Sequence, residues 1–184
     1  MDNLISAHEP SYVATPHDAM NELQQAAFEL RLDDLKNMIR HDGDLSGTLL
    51  AASSAHDPDP TLQVLVIRYL LQCGVAINET DKNGVTPLHR AVRFRSPAAV
   101  KELIAHGADI NVVDKRTRST PLHRAVTNTG APATAGKMDC AIEITKLLLT
   151  NGADPRIKNK NGKTPIDYAK NSEMKDVLCK HGAE

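Results

Sequence analysis

Aromatic residues are scarce in this chain of 184 residues, which contains two Phe, three Tyr and no Trp. Large globular cores usually depend on such side chains, because each one buries a large apolar area. Hydrophobic residues nevertheless make up 41% of the sequence, so we expect a core built from Leu, Ile, Val and Ala. That composition favours thin stacked layers over a single thick core.

Cysteine is also sparse, and no long apolar run is present. Cys73, Cys140 and Cys179 are odd in number, widely spaced and not arranged as Cys-x-x-Cys, which argues against a secreted disulfide framework. No apolar run approaches the roughly 18 residues needed to cross a bilayer, and the N-terminal stretch lacks the apolar segment of a secretory signal. We therefore expect a cytoplasmic protein without membrane association, with nuclear entry or secretion into a host cell left open.

Sequence signatures of catalysis and cofactor binding are absent as well. The chain has no Gly-x-Ser-x-Gly elbow, no Walker loop, no His-Glu-x-x-His and no glycine-rich dinucleotide fingerprint. Cys140 is the thiol that we expect to be most exposed, but Lys137 is the only basic residue near it in the sequence, so a reactive thiolate is not favoured. The sequence predicts no enzyme activity and no cofactor.

The chain contains one six-residue sequence motif, the repeated phrase, in three copies. Thr-Pro-Leu-His-Arg-Ala occurs at residues 86–91 and 120–125, and Thr-Pro-Ile-Asp-Tyr-Ala at 164–169. A Gly-Ala-Asp triplet, or the near copy Gly-Ala-Glu, follows each phrase at 107–109, 152–154 and 182–184. Self-similarity at a period of roughly 33 residues predicts a solenoid, because one such unit cannot bury its apolar face without a neighbour.

Residues 81–113 show the expected structure of one unit. Asn83-Gly84 is a tight-turn signal, since both residues tolerate a positive φ. Thr86 is expected to cap a first helix, with Pro87 at its first position, where a missing N–H is harmless. Apolar residues at i, i+3 and i+4 spacing predict a second helix, which Gly107 would end as a left-handed cap. The unit is thus two antiparallel helices and a projecting turn.

The run Asp-x-x-Gly-x-Thr-Pro-Leu-His-x-Ala, followed by Leu-Ile-Ala-His-Gly-Ala-Asp-Ile-Asn, resembles the ankyrin repeat along its whole length. The resemblance implies an all-α fold, an ankyrin-repeat solenoid of about five stacked helix-turn-helix units with β-hairpin-type connecting loops. Thr15-Pro16-His17-Asp18 is interpreted as a helix start, after a flexible tail of residues 1–15. A single repeat domain would span 16–184, with units of about 16–47, 48–80, 81–113, 114–158 and 159–184.

Two units are longer than the template, and both are longer in the same place. Between the alanine of the first helix and the glycine that ends the second, the template spans 16 residues, whereas Ala51–Gly74 spans 23 and Ala125–Gly152 spans 27. The surplus is rich in Pro, Gly and small residues, which predicts inter-helix loops at about 53–60 and 128–138. These loops are either tolerated surface insertions or a second contact surface. In the fifth unit the same span is only 13 residues, which predicts shortened helices.

His89 and His123 are the residues that most suggest a metal site or a general base. Both occupy the histidine position of the ankyrin phrase, where the resemblance implies a structural hydrogen bond between adjacent turns. Stacked helices lie about 8–10 Å apart, whereas each zinc ligand lies about 2.0–2.1 Å from its ion. Equivalent histidines in neighbouring layers therefore cannot share an ion, and we predict no metal site.

Ankyrin proteins usually bind partners through the concave surface formed by hairpin tips and first helices. Transferred by position, this implies contact residues in the third, fourth and fifth units: Lys82, Asn83, Val85, Arg93 and Phe94; Lys115, Arg116, Arg118, Thr127 and Asn128; and Lys160, Asn161 and Lys163. Phe94, flanked by Arg93 and Arg95, has the composition of a binding hot spot. The alternative is that Phe94 folds over a neighbouring repeat.

Charge is distributed unevenly, although the net charge is −1. Residues 1–60 hold 11 acidic and 3 basic residues, whereas residues 61–184 hold 12 acidic and 19 basic ones. Within 81–130, nine basic residues outnumber four acidic ones. These charges are either ordinary solvated surface or a field that steers an acidic or phosphorylated partner.

The resemblance implies a protein–protein interaction module, a scaffold, inhibitor or adaptor, which we expect to be monomeric. A rival function is nucleic-acid or acidic-ligand binding through residues 81–130, but the near-neutral chain with few stacking aromatics does not favour nucleic acid. A second rival is modification, because Leu103 to Asn111 resembles the ankyrin motif whose Asn is hydroxylated by asparaginyl hydroxylases. Asn111 is the candidate substrate residue.

Overall fold

The computed structural model describes residues 20–39, 44–55, 60–127 and 138–182. These residues contain nine α-helices and one 3₁₀ helix, and no β-strand. The α-helices are α1 (Glu22–Phe28), α2 (Leu32–Ile39), α3 (Thr48–Ala52), α4 (Pro60–Gln72), α5 (Pro87–Arg93), α6 (Pro97–Ala105), α7 (Pro121–Val126), α8 (Met138–Thr150) and α9 (Ser172–Cys179). The 3₁₀ helix, Pro165–Tyr168, lies between α8 and α9.

The helices pair along the chain, and the pairs stack. The helix α1 packs on α2, α3 on α4, α5 on α6 and α7 on α8. First helices contact one another in the order α1, α3, α5, α7 and the 3₁₀ helix, while second helices do so in the order α4, α6, α8 and α9. This arrangement is an all-α repeat solenoid and confirms the predicted fold class.

The core is aliphatic, as the shortage of aromatic residues predicts. The largest fully buried side chains are Leu and Ile residues together with two histidines. Every helix pair contributes to them: Leu35 in the first, Leu49, Ile67 and Leu70 in the second, Leu88 and Leu103 in the third, Leu122, Ile144 and Leu148 in the fourth, and Leu178 in the fifth. Each layer is therefore thin and depends on the layers beside it.

The first described helix begins at Glu22. The expected start at Thr15–Asp18 lies outside the described residues, and the helix from Glu22 carries the buried alanines of this unit. Asn21 is in an extended conformation and accepts the Gln24 N–H, while the Gln24 side chain accepts the Asn21 N–H. This reciprocal capping box fixes the helix start, and its Asn-x-x-Gln pattern is visible in the sequence.

The loop expected at 53–60 begins inside the stack instead of on its surface. Ser53, Ser54 and Ala55 are all buried, and Gln63 of α4 donates from Nε2 to the carbonyl oxygens of Ala52 and Ala55 at 2.9 and 3.2 Å. The side-chain oxygen of Gln63, Oε1, in turn accepts from the hydroxyl of Ser96, the N-cap residue of α6, at 2.6 Å. One buried amide thus ties this segment to the next unit. Residues 56–59 of this loop and residues 128–137 of the second one lie outside the described residues, whereas Pro60 and Met138 already begin α4 and α8.

The two histidines of the repeated phrase each join one unit to the next. His89 Nδ1 lies 2.8 Å from Thr86 Oγ1 and accepts the Thr86 N–H at 3.3 Å, which completes the cap of α5. Its Nε2 lies 3.0 Å from the Ser119 carbonyl oxygen in the following unit. His123 repeats the arrangement with Thr120 and, at 3.0 Å, with the Lys163 carbonyl oxygen. The structural role implied by the resemblance is confirmed.

These contacts require neutral imidazole rings. Burial, and then the nearby charge of Arg124, lowers the pKa of His89 from 6.5 to about 4. Burial likewise lowers the pKa of His123. Since Nδ1 accepts a backbone N–H, Nε2 carries the proton and donates to the carbonyl of the next unit.

In the fifth unit Asp167 stands at the position of these histidines and completes the helix cap, with its Oδ2 accepting the Thr164 N–H at 2.8 Å. The first helix of this unit is only a 3₁₀ turn.

The stability of the folded chain should fall as the pH drops from about 6.5 towards 4. In this window the unfolded chain protonates both histidines, whereas folded His89 resists protonation until a pH of about 4. For His89 the shift corresponds to about 3 kcal/mol of unfolding free energy. Urea denaturation followed by circular dichroism, from about pH 7.5 to about pH 4.5, measures the loss.

His89→Gln and His123→Gln are the controls, because glutamine retains hydrogen-bonding groups but does not titrate. Each variant should be less stable than the original chain at neutral pH and should show a flatter pH dependence. The Asp114 carboxylate does not interfere, since its pKa is lowered from 3.8 and it titrates below this window. An equally steep loss in both variants would contradict the role assigned to the rings.

Candidate functional site

Three hairpin loops stack along one edge of the solenoid. They comprise residues 81–85, 114–119 and 159–163, and each is closed by a backbone hydrogen bond between its ends, at 3.1, 3.1 and 2.9 Å. Successive loops are also joined, because Lys115 N–H donates to Asn83 O and Lys160 N–H donates to Thr117 O, both at 2.8 Å. The loops therefore form one continuous edge.

Gly84 is required where the first two loops meet. Its φ is +72°, a conformation that other residues adopt only with strain. A Cβ at this position would lie 2.9 Å from Lys115 Cγ and 3.1 Å from Lys115 N, so the Lys115 side chain and the backbone of the next loop would have to shift. The glycine of the turn signal thus serves both the turn and the approach of the following unit.

The acidic residues of these loops are paired with arginines of the first helices. Asp81 accepts from Arg90 at 2.8 Å, and Asp114 accepts from Arg124 at 3.1 Å. In the fifth unit an uncharged pair takes the same place, with Asn159 Nδ2 donating to the Tyr168 hydroxyl at 2.8 Å. Three successive loops are thus bonded to their own first helices, which turns the carboxylates of the first two away from solvent.

Asp114 is the most enclosed of these groups, with 1% of its surface exposed. Burial by itself would raise its pKa, but hydrogen bonds from the Thr117 hydroxyl and N–H, together with the Arg124 guanidinium, hold the pKa below its usual value. Arg124 is in turn 18% exposed in its side chain. The pair stays ionised and holds both residues in fixed positions.

Most of the contact residues predicted from the sequence are exposed along this edge. Lys82, Arg93, Lys115, Arg116, Arg118, Lys160, Asn161 and Lys163 are exposed, whereas Asn83, Phe94 and Thr127 are half-buried. Val85 is only 7% exposed, since its carbonyl closes the first loop and its side chain packs inward. It therefore offers no surface to a partner. Asn128 lies outside the described residues.

Four of these residues meet in one pocket of about 240 Å³, which we call the cationic pocket. Its lining consists of Arg93, Arg116, Thr127 and Asn161 together with Thr117, Ser119, His123, Arg124, Asn159 and Tyr168. The last six of these residues were not predicted as contact residues from the sequence. Arg124 and Tyr168 occupy equivalent positions in their repeated phrases, each four residues after the capping Thr, and that register was the available signal.

The cationic pocket is lined by three guanidinium groups and, among the described residues, by no carboxylate. Arg93 and Arg116 are exposed and form no ion pair within the described part of the chain. Burial lowers the pKa of Arg124, and the charges of Arg93 and Arg90 lower it further. The like charges are thus close enough to repel one another, so the pocket favours an anion.

Arg95 does not belong to this surface, contrary to the hot-spot interpretation. It is 6% exposed and adopts a positive φ of 57°. Its guanidinium points into the stack and donates to Ala125 O at 2.8 Å and Thr127 O at 2.6 Å, at the end of α7. Phe94 precedes it as the C-cap of α5 and does not line the cationic pocket.

A second pocket of about 610 Å³ lies between the first three units. Met20 and Leu50 give it an apolar part, while Asp81 and Arg90 form its polar side. Glu79 also lines it, but both oxygens of this carboxylate are engaged, accepting the N–H groups of Gly47 and Leu50 at 2.8 and 2.9 Å. The pocket lacks the unpaired arginines of the cationic pocket.

Asn111 is exposed but is bonded to the next unit. Its Nδ2 donates to Gly152 O at 3.0 Å, and its Oδ1 accepts the Asp154 N–H at 2.9 Å. One unit earlier, Asn78 occupies the equivalent position, and its Oδ1 accepts the Asp109 N–H at 2.9 Å. A hydroxylase would have to open both contacts of Asn111 to reach its side chain, and this role stays a prediction.

The described residues contain no group of three or more His, Cys, Asp or Glu side chains placed to hold a metal ion, and none of their helices is long and apolar enough to cross a membrane. All three cysteines are free. The expectation that Cys140 is the most exposed was wrong, because Cys140 lies in the first turn of α8, which packs on α7, whereas Cys179 ends α9 and is exposed.

Arg95→Ala should lower the free energy of unfolding by about 2–4 kcal/mol. The substitution removes charge-assisted hydrogen bonds worth roughly 1.5–3 kcal/mol each from the carbonyl oxygens of Ala125 and Thr127. Alanine at the same positive φ carries the same backbone strain as arginine. The difference in unfolding free energy between the variant and the original chain therefore measures the lost hydrogen bonds. Arg93→Ala, two residues earlier and exposed, is the matched control and should change stability by about 0.5 kcal/mol or less. Equal losses in urea denaturation would refute the buried role of Arg95.

Comparison with known proteins identifies the repeats. A family model described as "Ankyrin repeats (3 copies)" matches residues 23–114 and 49–141. The SMC5-SMC6 complex localization factor protein 1 of Bos taurus is 30% identical over 61% of this chain, and an ankyrin repeat protein of Fowlpox virus is 39% identical over 56%. Rabankyrin-5 of Homo sapiens is 27% identical over 70%. The aligned part covers 10%, 28% and 12% of these relatives, respectively.

Proposed function

Because the chain belongs to the ankyrin repeat family, we propose that it is a protein-interaction module whose partner binds the hairpin and first-helix face of units three to five. Ankyrin repeats generally mediate protein–protein interaction. The observation that carries the choice of face is the cationic pocket, where Arg93 and Arg116 are exposed and have no carboxylate partner among the described residues.

The face suits a partner with acidic or phosphorylated side chains. The loop carboxylates that could neutralise it, Asp81 and Asp114, are held by Arg90 and Arg124. Exposed cations continue along the loops at Lys115, Arg118 and Lys160. Since the backbone hydrogen bonds between loops hold these positions in place, little conformational entropy is lost when a partner binds.

The same face is less suited to nucleic acid. Single-stranded binding needs aromatic rings on which bases stack. Tyr168 is the aromatic residue of the pocket, but its ring packs edge-on against His123, with the ring centres 6.4 Å apart, and its hydroxyl is bonded to Asn159. A partner protein remains the function that the geometry supports best, with the protein acting as a monomeric scaffold, inhibitor or adaptor.

Charge reversal at the pocket, Arg93→Glu with Arg116→Glu, should abolish partner capture without unfolding the protein. Both side chains are exposed, so the melting temperature should stay within about 2 °C. The measurement is affinity capture from a lysate of the source cells, with captured proteins quantified by mass spectrometry.

The matched control is Lys101→Glu with Arg156→Glu, which changes the net charge by the same amount at exposed positions outside the pocket. Arg156 is exposed and pairs with half-buried Asp154, a contact of little energetic weight. The control should capture the same proteins as the original chain. Unchanged capture by the pocket variant, or equal loss in both variants, would show that the partner binds elsewhere.

A further inference from the structure

We propose that the cationic pocket is a phosphomonoester site, which receives the phosphate of one phosphorylated side chain on the partner. The proposal rests on the proposed function and names the ligand group that the same face recognises. It follows from three properties of the pocket, which are its unpaired charge, its free hydrogen-bond donors and its size.

The charge of the pocket matches a doubly charged group. Arg124 is balanced by Asp114 at 3.1 Å, whereas Arg93 and Arg116 have no carboxylate partner within the described residues. Two positive charges therefore remain. A phosphomonoester carries about −1.5 to −2 at neutral pH, while a carboxylate or a phosphodiester carries only one negative charge. The monoester is the group that neutralises both arginines.

The hydrogen bonds around Asn159 leave one hydroxyl donor to the ligand. Its Oδ1 accepts two backbone N–H groups, from Asn161 at 2.9 Å and Lys163 at 3.2 Å, which fixes the orientation of the amide. The Nδ2 group must then donate to the Tyr168 hydroxyl, at 2.8 Å. Because that hydroxyl oxygen acts as the acceptor, its own hydrogen is available to an oxygen of a ligand.

The donor set suits a tetrahedral oxyanion. Two guanidinium groups can each present a pair of N–H donors to phosphate oxygens. Tyr168 adds its hydroxyl, and Asn161, which is exposed, adds an amide. A phosphate group has three terminal oxygens that accept such bonds, whereas a carboxylate has two.

The size of the pocket indicates a side chain instead of a free metabolite. Its volume of about 240 Å³ lies below the range of roughly 300–1,000 Å³ found for small-molecule sites. Such a pocket gives modest affinity alone and serves as one anchor within a larger protein interface. Lys115 and Lys160, which are exposed and directly precede the pocket residues Arg116 and Asn161, would contact the flanking residues of the partner.

Binding of phosphopeptide libraries to the full chain tests the proposal. Fluorescein-labelled libraries with a fixed phosphoserine, phosphothreonine or phosphotyrosine in degenerate flanks are titrated by fluorescence polarisation, beside matched libraries with serine, threonine, tyrosine or glutamate. At least one phosphorylated library should bind roughly tenfold or more tightly than its unphosphorylated and glutamate counterparts. The three phosphorylated libraries show which residue type supplies the phosphate.

The variants used above locate the site. Arg93→Glu with Arg116→Glu should abolish phosphopeptide binding, whereas Lys101→Glu with Arg156→Glu should leave it unchanged. Arg116→Lys keeps the charge but loses the paired donors, so it should weaken binding several-fold. Equal effects of the two double variants would overturn the proposal.

Other outcomes separate this proposal from the proposed function. Equal affinity for the glutamate library would assign the pocket to carboxylates, and no binding by any phosphorylated library would remove the phosphate site. Both results overturn the inference and leave the interaction face to be judged by the capture experiment. Tighter binding of a short thymidine oligonucleotide that the same charge reversal abolishes would overturn it in favour of nucleic acid.

Discussion

The neutral imidazole that joins one unit to the next is the contact on which the hairpin face depends. His89 and His123 each complete the helix cap of their own unit through Nδ1 and hold the following loop through Nε2. Because both rings are buried, a lost contact leaves polar groups without partners in the core. The rings therefore set the spacing of successive loops, and the loop-to-loop hydrogen bonds at Lys115 and Lys160 follow from that spacing.

The same geometry sorts charge across the loops. Each loop carboxylate bonds to an arginine of its own first helix, so negative charge faces inward and unpaired positive charge faces solvent. Where the fifth unit replaces the ion pair by Asn159 and Tyr168, the contact survives without either charge. The net charge of the chain is only −1, yet this face attracts anions. Its positive field arises from where the charged side chains lie in the fold and not from the overall amino-acid composition.

The repeated phrase was enough to predict the solenoid, because its caps, turn and apolar spacing are all local signals. It was also enough to place Arg93, Arg116 and Asn161 on one face. It could not show that Arg95, two residues from Arg93, points inward, since that direction follows from a positive φ and from carbonyl groups of the next unit. Nor could it show the burial of Val85 or the inclusion of Tyr168 in the pocket, which depend on contacts between units.

The central claim is that partners bind the loops and first helices of units three to five. Hydrogen exchange followed by mass spectrometry, on the full chain with and without its bound partner, tests it most directly. With the partner bound, we expect slower exchange in the loops 114–119 and 159–163 and in the end of α5, with little change in α6 and α8. Protection confined to those second helices, with the loops unchanged, would contradict it.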